Sequence, residues 1–368
     1  MTMSVERPKP TILIVEDEEG PRNALRIILR PFYELRITSN RHEALQALLT
    51  QPIDLVTLDL KLPDGYGLDL FHAIKRARRG IEIIIITGYG TLKSSQEAVR
   101  HGAAGYLLKP FNVTELITLI NRTLDRKRHL DAIRSFLRSA QGLWKDEPGA
   151  VRAWAQLRDQ FPVSMPAHPV QPPLHPLDAG TCALLSDLMD ASDHLLLSHA
   201  TRVRSYSALL AAPLNLSQDD QRALAIGAFL HDIGYVGMDG GDTVRQNTNG
   251  GMDRADDLHP LLGVQMTAPL GPPERASLII AHHHDRYDGS GHPTGLAGDQ
   301  IPLLARIVAV AQAFDQMTAP NGHPVMPFAD ACGRLGDQAG AELDPNLVEL
   351  FLERAGELQS PHPAPTGA

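Results

Sequence analysis

Short apolar runs alternate with longer amphipathic stretches over the first 125 residues: TILIV at 11–15, ELRIT at 34–38, DLVTL at 54–58, EIIII at 82–86 and GYLL at 105–108. Five strands alternating with helices predict an α/β domain built on a parallel sheet. In such sheets chemistry collects at the carboxyl ends of the strands. The unusual polar residues fall there: Glu16 and Asp17 follow the first strand, Asp59 closes the third, Thr87 closes the fourth, and Lys109-Pro110 follow the fifth. From Val113 to about Trp144 the period becomes helical, with Leu116, Leu119, Ile120 and Leu124 on one face and the charged stretch DRKRHLD after it. The proline-rich segment FPVSMPAHPVQPPLHPLD at 161–178 predicts an extended linker.

Beyond Thr181 the pattern is almost wholly helical, without convincing alternation of period two. Ser217 and Asp220 have capping-box spacing ahead of the apolar run ALAIGAFL and predict a helix start; His231-Asp232 then fall at that helix's end, before Gly234. The stretch VGMDGGDTVRQNTNGG reads as a polar, mobile loop, and the Pro-rich tail after Gln359 as disordered. The expected boundaries are 1–125, a helical and proline-rich linker at 126–178, a helical domain at 179–358, and a tail at 359–368.

Composition narrows the function classes. Of 368 residues, 43% are hydrophobic and 21% charged, ordinary values for a globular protein with a substantial core. Cys182 and Cys332 stand far apart with no CxxC, which excludes a disulfide framework and a thiolate metal site and points to reducing cytoplasm. The start MTMSVERPKP carries no long apolar segment and no run reaches membrane length, so a cytoplasmic protein is expected. A formal net charge of -9 speaks against direct DNA binding, which leans on clustered Lys and Arg.

Two groups of side chains carry chemistry. Glu16, Asp17 and Asp59 repel one another unless a cation joins them, which makes a magnesium pocket. A hydroxyl at Thr87 and an ammonium at Lys109 are the partners a newly added phosphoryl group needs. In the C-terminal half, His199, the doublet His231-Asp232, His259 and the pair His283-His284 form a metal-ligand set, because neutral imidazole and carboxylate hold zinc, iron or manganese, and an aspartate can bridge two ions. His175, His194 and His323 read as ordinary surface histidines.

VEDEE, LVTLDLKLPDG, IIIITGYGT and GYLLKPF resemble the motifs of response-regulator receiver domains over roughly residues 10–125. The resemblance implies a flavodoxin-like fold, phosphorylation of Asp59 by a cognate histidine kinase, a magnesium pocket of Glu16, Asp17 and Asp59, a switch made of Thr87, Tyr106 and Lys109, and possible homodimerisation. Glu16 stands where the family more often has aspartate.

FLHDIG and AHHHDRYDGSGHPTGLAGDQIPLLARIVAVAQAFDQMT resemble the HD-GYP branch of the HD-domain metal-dependent phosphohydrolases over roughly residues 180–355. This implies an all-α domain that hydrolyses cyclic di-GMP with two divalent ions, iron or manganese. One ion is expected on His199, His231 and Asp232, the other on Asp232, His259, His283 and His284, with Asp232 bridging and positioning the nucleophilic water. His282 falls outside the pair. Asp288, Gly289, Gly291, His292 and Pro293 form the expected substrate loop, the glycines and proline also reading as turn formers. Several positions depart from the pattern: Tyr235 replaces a lysine, His292 a tyrosine, and Gln312 an aspartate ligand. Asp315 lies three residues on along the same helix, but family spacing favours 312. Leu195 stands where some members have a glutamate that supports a third ion, and Ala-Pro-Asn-Gly-His-Pro after Thr318 replaces an Arg-containing segment. Three readings of the output stay open: a cyclic di-GMP phosphodiesterase, a non-hydrolytic module binding cyclic di-GMP or a protein partner, and a phosphohydrolase of another nucleotide.

Overall fold

The computed structural model describes residues 9–78, 80–88, 102–161, 179–238, 254–292, 294–319 and 325–359. The chain divides into two compact units, Met1–Ala132 and Ile133–Ala368.

In the first unit the main sheet has the strands β1 (Thr11–Val15), β2 (Glu34–Thr38), β3 (Leu55–Leu58), β4 (Glu82–Thr87) and β5 (Gly105–Leu108), all parallel, in the order β2-β1-β3-β4-β5, beside a small antiparallel pair of Lys61–Leu62 with Gly65–Tyr66. The three central strands read as unbroken apolar runs because both faces are covered. Period-two alternation sorts their side chains. Leu13, Val15, Val56, Leu58, Ile83 and Ile85 pack with Ala44 and Leu48 of α2 (Arg41–Thr50) and with Leu70, Phe71 and Ile74 of α3 (Gly67–Ala77). Ile12, Ile14, Leu55, Ile84 and Ile86 pack with Leu25 and Leu29 of α1 (Glu19–Leu29) and with Leu116, Ile120 and Leu124 of α4 (Val113–Ala140). Edge strand β2 is largely exposed or half-buried, as its more polar sequence requires. Asn40 caps α2 by accepting from the Glu43 amide at 2.9 Å.

The second unit is helical among its described residues. It contains α5 (Glu147–Gln160), α6 (Ala179–Ser192), α7 (His194–Ala211), α8 (Gln218–Leu230), α9 (Arg254–Thr267), α10 (Glu274–His282), α11 (Leu303–Thr318), α12 (Phe328–Asp337) and α13 (Pro345–Arg354). Ser217 caps α8 by accepting from the Asp220 amide at 3.1 Å, as its spacing predicts.

Part of the expected linker is packed core. Helix α4 runs on past Ala132, and residues from Ile133 belong to the second unit. A short 3-10 turn at Gln141–Lys145 brings Trp144 to complete burial, 5.8 Å and nearly perpendicular to Trp154 of α5. Trp154 donates its indole N–H to the Met266 carbonyl at 2.7 Å. The partners of these indoles lie about a hundred residues away in sequence, so no local pattern announces the docking. Residues 162–178, most of the glycine-rich loop and the tail lie outside the described residues. No helix among the described residues is long and apolar enough to cross a membrane.

Candidate metal centres

At the carboxyl ends of β1 and β3, one carboxylate oxygen from each of Glu16, Asp17 and Asp59 falls within 4.8 Å of the others. Lys109, just after β5, places Nζ 2.6 Å from both Glu16 Oε2 and Asp59 Oδ2. Burial lowers the Lys109 pKa, but hydrogen bonds and attraction to the two carboxylates outweigh it and leave it above its ordinary value. Glu16 moves the other way for a carboxyl: burial raises it, against the pull of Lys109. Its Oε1 is buried without a hydrogen-bond partner, a position suited to a cation. Thr87 is fully buried at the end of β4, and Tyr106 packs half-buried against the α2 and α3 side of the sheet.

The histidine centre is assembled from five helical segments. His199 sits within α7; His231 ends α8 and Asp232 follows it; His259 lies inside α9; His283 and His284 follow α10; Gln312 lies on α11. The turn after Asp232 presses against α9 so closely that a Cβ on Gly234 would stand 1.9 Å from the His259 carbonyl oxygen, so glycine is required there.

Asp232 faces two ways. Its Oδ2 lies 3.4 Å from His199 Nε2 and 3.3 Å from His231 Nε2. Its Oδ1 lies 3.2 Å from His259 Nε2 and 3.5 Å from His283 Nε2. His284 joins the second group within the same 4.8 Å limit.

The outward nitrogens decide the chemistry of the inward ones. His231 Nδ1 is 2.8 Å from the Ala228 carbonyl, His283 Nδ1 is 3.0 Å from the Ile280 carbonyl, and His199 Nδ1 is 2.7 Å from Asp315 Oδ2. These oxygens only accept, so each Nδ1 carries a proton and each Nε2 is left as the inward-facing atom. Yet His199 Nε2 stands 3.2 Å from His231 Nε2, and His259 Nε2 stands 3.1 Å from His283 Nε2. Two inward nitrogens this close need a shared proton or a cation between them. Ligand atoms about 2.0–2.1 Å from a shared ion sit roughly 3.0–3.4 Å apart, which is the spacing of these pairs.

The buried polar atoms left without hydrogen bonds agree: Asp232 Oδ1, His284 Nε2 and Gln312 Oε1. The donor set therefore fits two divalent ions sharing Asp232. Burial and charge act differently on the histidines of the two groups. Burial lowers the His283 pKa to about 4 and holds His284 well below its ordinary value, so both are neutral donors. Burial also opposes charge on His199, but Asp232 and Asp315 outweigh it and push its pKa to about 9. Without an ion, a proton holds that position, and an ion must displace it. Burial works against the Asp232 carboxylate too; the surrounding histidines overcome this and keep it well below the carboxylate range.

The remaining expected residues lie outside the ligand groups. The His282 ring binds Asp285 at 2.8 Å, and Thr294 also donates to that carboxylate at 2.8 Å. In the expected substrate loop, Asp288 accepts from the Ser290 amide at 2.9 Å, Gly289 has φ +80, and His292 is exposed. Gly291 is wedged in, since a Cβ there would meet the Arg286 nitrogen at 2.2 Å. Pro293 lies outside the described residues, as do His175 and His323. His194 pairs with Asp190 at 2.8 Å. Tyr235 stacks on His259 at 4.1 Å between ring centroids, a contact the sequence did not announce because the two residues lie on different segments.

Comparison with known proteins agrees with this division. The response regulator receiver domain family matches residues 12–121, and the HD domain family matches residues 183–347. The chain is similar to the cyclic di-GMP phosphodiesterase response regulator RpfG of Xanthomonas campestris pv. campestris (strain 8004), with 28% identity over 363 residues, 95% of this chain and 88% of that protein. It is also similar to a cyclic di-GMP phosphodiesterase of Thermotoga maritima, with 27% identity over 361 residues covering 95% and 91%, respectively. A probable cyclic di-GMP phosphodiesterase of Vibrio cholerae shares 28% identity over 366 residues, 93% of this chain and 77% of that one. With the acidic pocket on the first match and the histidine centre within the second, this chain is a response regulator in which a receiver domain is joined to an HD domain.

Proposed function

We propose that the HD domain is a metal-dependent phosphodiesterase for cyclic di-GMP, controlled by phosphorylation of Asp59 by a histidine kinase. The observation that carries the reading is Asp232, with one carboxylate oxygen turned to His199 and His231 and the other to His259 and His283. When bound, two divalent ions, iron or manganese, supply Lewis acidity toward the phosphodiester and lower the pKa of water. The chain's own part is to hold the donors ready. Backbone carbonyls fix the tautomers of His231 and His283, and burial keeps His283 and His284 unprotonated. With one carboxylate among the ligands, the loaded centre stays strongly positive and suits a phosphodiester anion.

Control begins at Lys109, whose ammonium is shared between Glu16 and Asp59. A phosphoryl group on Asp59 would carry almost two negative charges where the carboxylate carried one and would compete for that ammonium, with magnesium held by Glu16, Asp17 and Asp59 and with Thr87 and Tyr106 responding. The route onward is α4, which begins in the receiver and is followed by Trp144. The Trp144 side chain packs where a Cβ on Gly237 would come within 3.2 Å of its own Cβ, five residues after Asp232.

A non-hydrolytic, ligand-binding output is the second reading. The first ligand group favours it: it offers only His199, His231 and the shared Asp232, and position 312 on α11, where the resemblance expects a carboxylate, holds a neutral amide. Manganese- or iron-loaded protein incubated with cyclic di-GMP, alongside His231→Ala and Asp232→Ala, separates the two. Linear dinucleotide or GMP formed only by the parent chain supports the enzyme. Binding without product establishes the second reading, and turnover of another cyclic dinucleotide alone would move the substrate.

A further inference from the structure

Asp315 lies on α11 one turn beyond Gln312, fully buried, and belongs to neither ligand group. Its Oδ2 is 2.7 Å from His199 Nδ1. The same carboxylate receives two bonds from Arg202, Nε to Oδ1 at 2.6 Å and Nη2 to Oδ2 at 2.9 Å. Arg202 follows His199 by three residues on α7, so both side chains leave one helical face and close on one acceptor. The planar guanidinium supplies the counter-charge a buried carboxylate needs and fixes its rotation.

His199 thereby differs from its neighbours. The outward nitrogens of His231 and His283 are held by carbonyls of their own helices, a geometry the backbone sets locally. His199 depends on a side chain of another helix. Rotation of its ring, or a proton shift to the other nitrogen, would remove its lone pair from the position facing His231 and Asp232. His259, His283 and His284 make no contact with Asp315 among the described hydrogen bonds and ion pairs.

We propose that Asp315, clamped by Arg202, is the positioning residue of the first ion: it sets the tautomer and ring plane of His199, so that ion depends on it and the second does not. This rests on the two-ion reading above. Outer partners of metal-bound histidines typically govern affinity by about 10- to 100-fold. Manganese titration by calorimetry, paired with electron paramagnetic resonance of the loaded protein, tests it on the full chain without an activity readout. Asp315→Leu alone strands the Arg202 charge and can unfold the domain, so the decisive variant is Arg202→Met with Asp315→Leu, which removes the buried pair together.

The expected result is a metal-free unfolding midpoint near the parent's, one ion bound as tightly as before, and the other weakened about 10- to 100-fold. The spectrum should change from a coupled pair to isolated manganese. Asp315→Asn, which keeps an acceptor for His199, should fall between the two. Two ions at parental affinity in the double variant, or equal weakening of both, would overturn the proposal. A parent chain that binds fewer than two ions removes the two-ion reading itself, and the proposal with it.

Discussion

In the receiver domain, the Lys109 ammonium stands 2.6 Å from two buried carboxylates, so the pocket carries its own cation before any metal arrives. In the HD domain, the Nε2 atoms of His199, His231, His259 and His283 converge on Asp232, and no lysine or arginine reaches into that ring among the described ion pairs. Both are buried clusters of ligand groups at the ends of secondary structure. In the first, one ammonium offsets only part of the charge of Glu16, Asp17 and Asp59, and Glu16 Oε1 is left open to a further cation. In the second, a proton on His199 faces Asp232 until an ion displaces it. The two clusters thus differ in what meets the carboxylates before a metal does: a lysine that stays in place in one, an exchangeable imidazole proton in the other.

The contrast can be broken most severely at Asp232. Asp232→Ala should remove the shared ligand of both ions, lowering metal content below one ion per chain by elemental analysis and hydrolysis to background, with receiver phosphorylation intact. Retention of two ions would show that Asp232 does not bridge.

Next is Lys109→Met, which leaves Glu16 and Asp59 buried without their cation. Removing one member of a buried pair typically costs about 3–5 kcal/mol. Chemical denaturation of the receiver should show that loss, with magnesium restoring more stability to the variant than to the parent. A variant as stable as its parent would mean that the pocket does not depend on its internal cation.

Chelation should act on the other unit. A ligand at a hundred times its dissociation constant adds about 2.7 kcal/mol to the folded state. Chelator should therefore lower the unfolding midpoint of the HD domain and leave the receiver transition in place. The smallest effect is expected for Gln312→Asp. Restoring the carboxylate that the resemblance expects at this position should tighten the first ion by about tenfold, equivalent to roughly 1.4 kcal/mol. Calorimetric titration reads this directly, and a change confined to the second ion would place Gln312 elsewhere.

Much of this was legible in the chain. The five strand segments fall within a residue or so of the expected runs, most plainly for the central strands, whose burial on both faces leaves few polar positions to blur them. In the candidate centre, His231-Asp232 and His283-His284 stand out in the chain as adjacent donors, whereas His199 and His259 stand alone. The function of Asp315 was not. Gln312 and Asp315 share one helical face, and which of them meets His199 is decided by the packing of α11 against α7. Residues 133–160 were also misjudged by local pattern: they read as connector, yet Trp144 and Trp154 find their partners near Gly237 and Met266.

The sequence by itself determined the two domain classes, the strand ends where the acidic pocket forms, and the inventory of donors for a metal centre. Those follow from local periodicity and side-chain chemistry, which need no knowledge of distant contacts. Only the tertiary structure decided how the donors are divided. It turned the two oxygens of Asp232 toward different histidines, assigned Asp315 to hold His199 from outside, and brought Lys109 across the sheet to Glu16 and Asp59. These choices depend on how elements far apart in the chain pack against one another. Helix and strand propensities say which face a residue occupies, and packing alone says what that face meets.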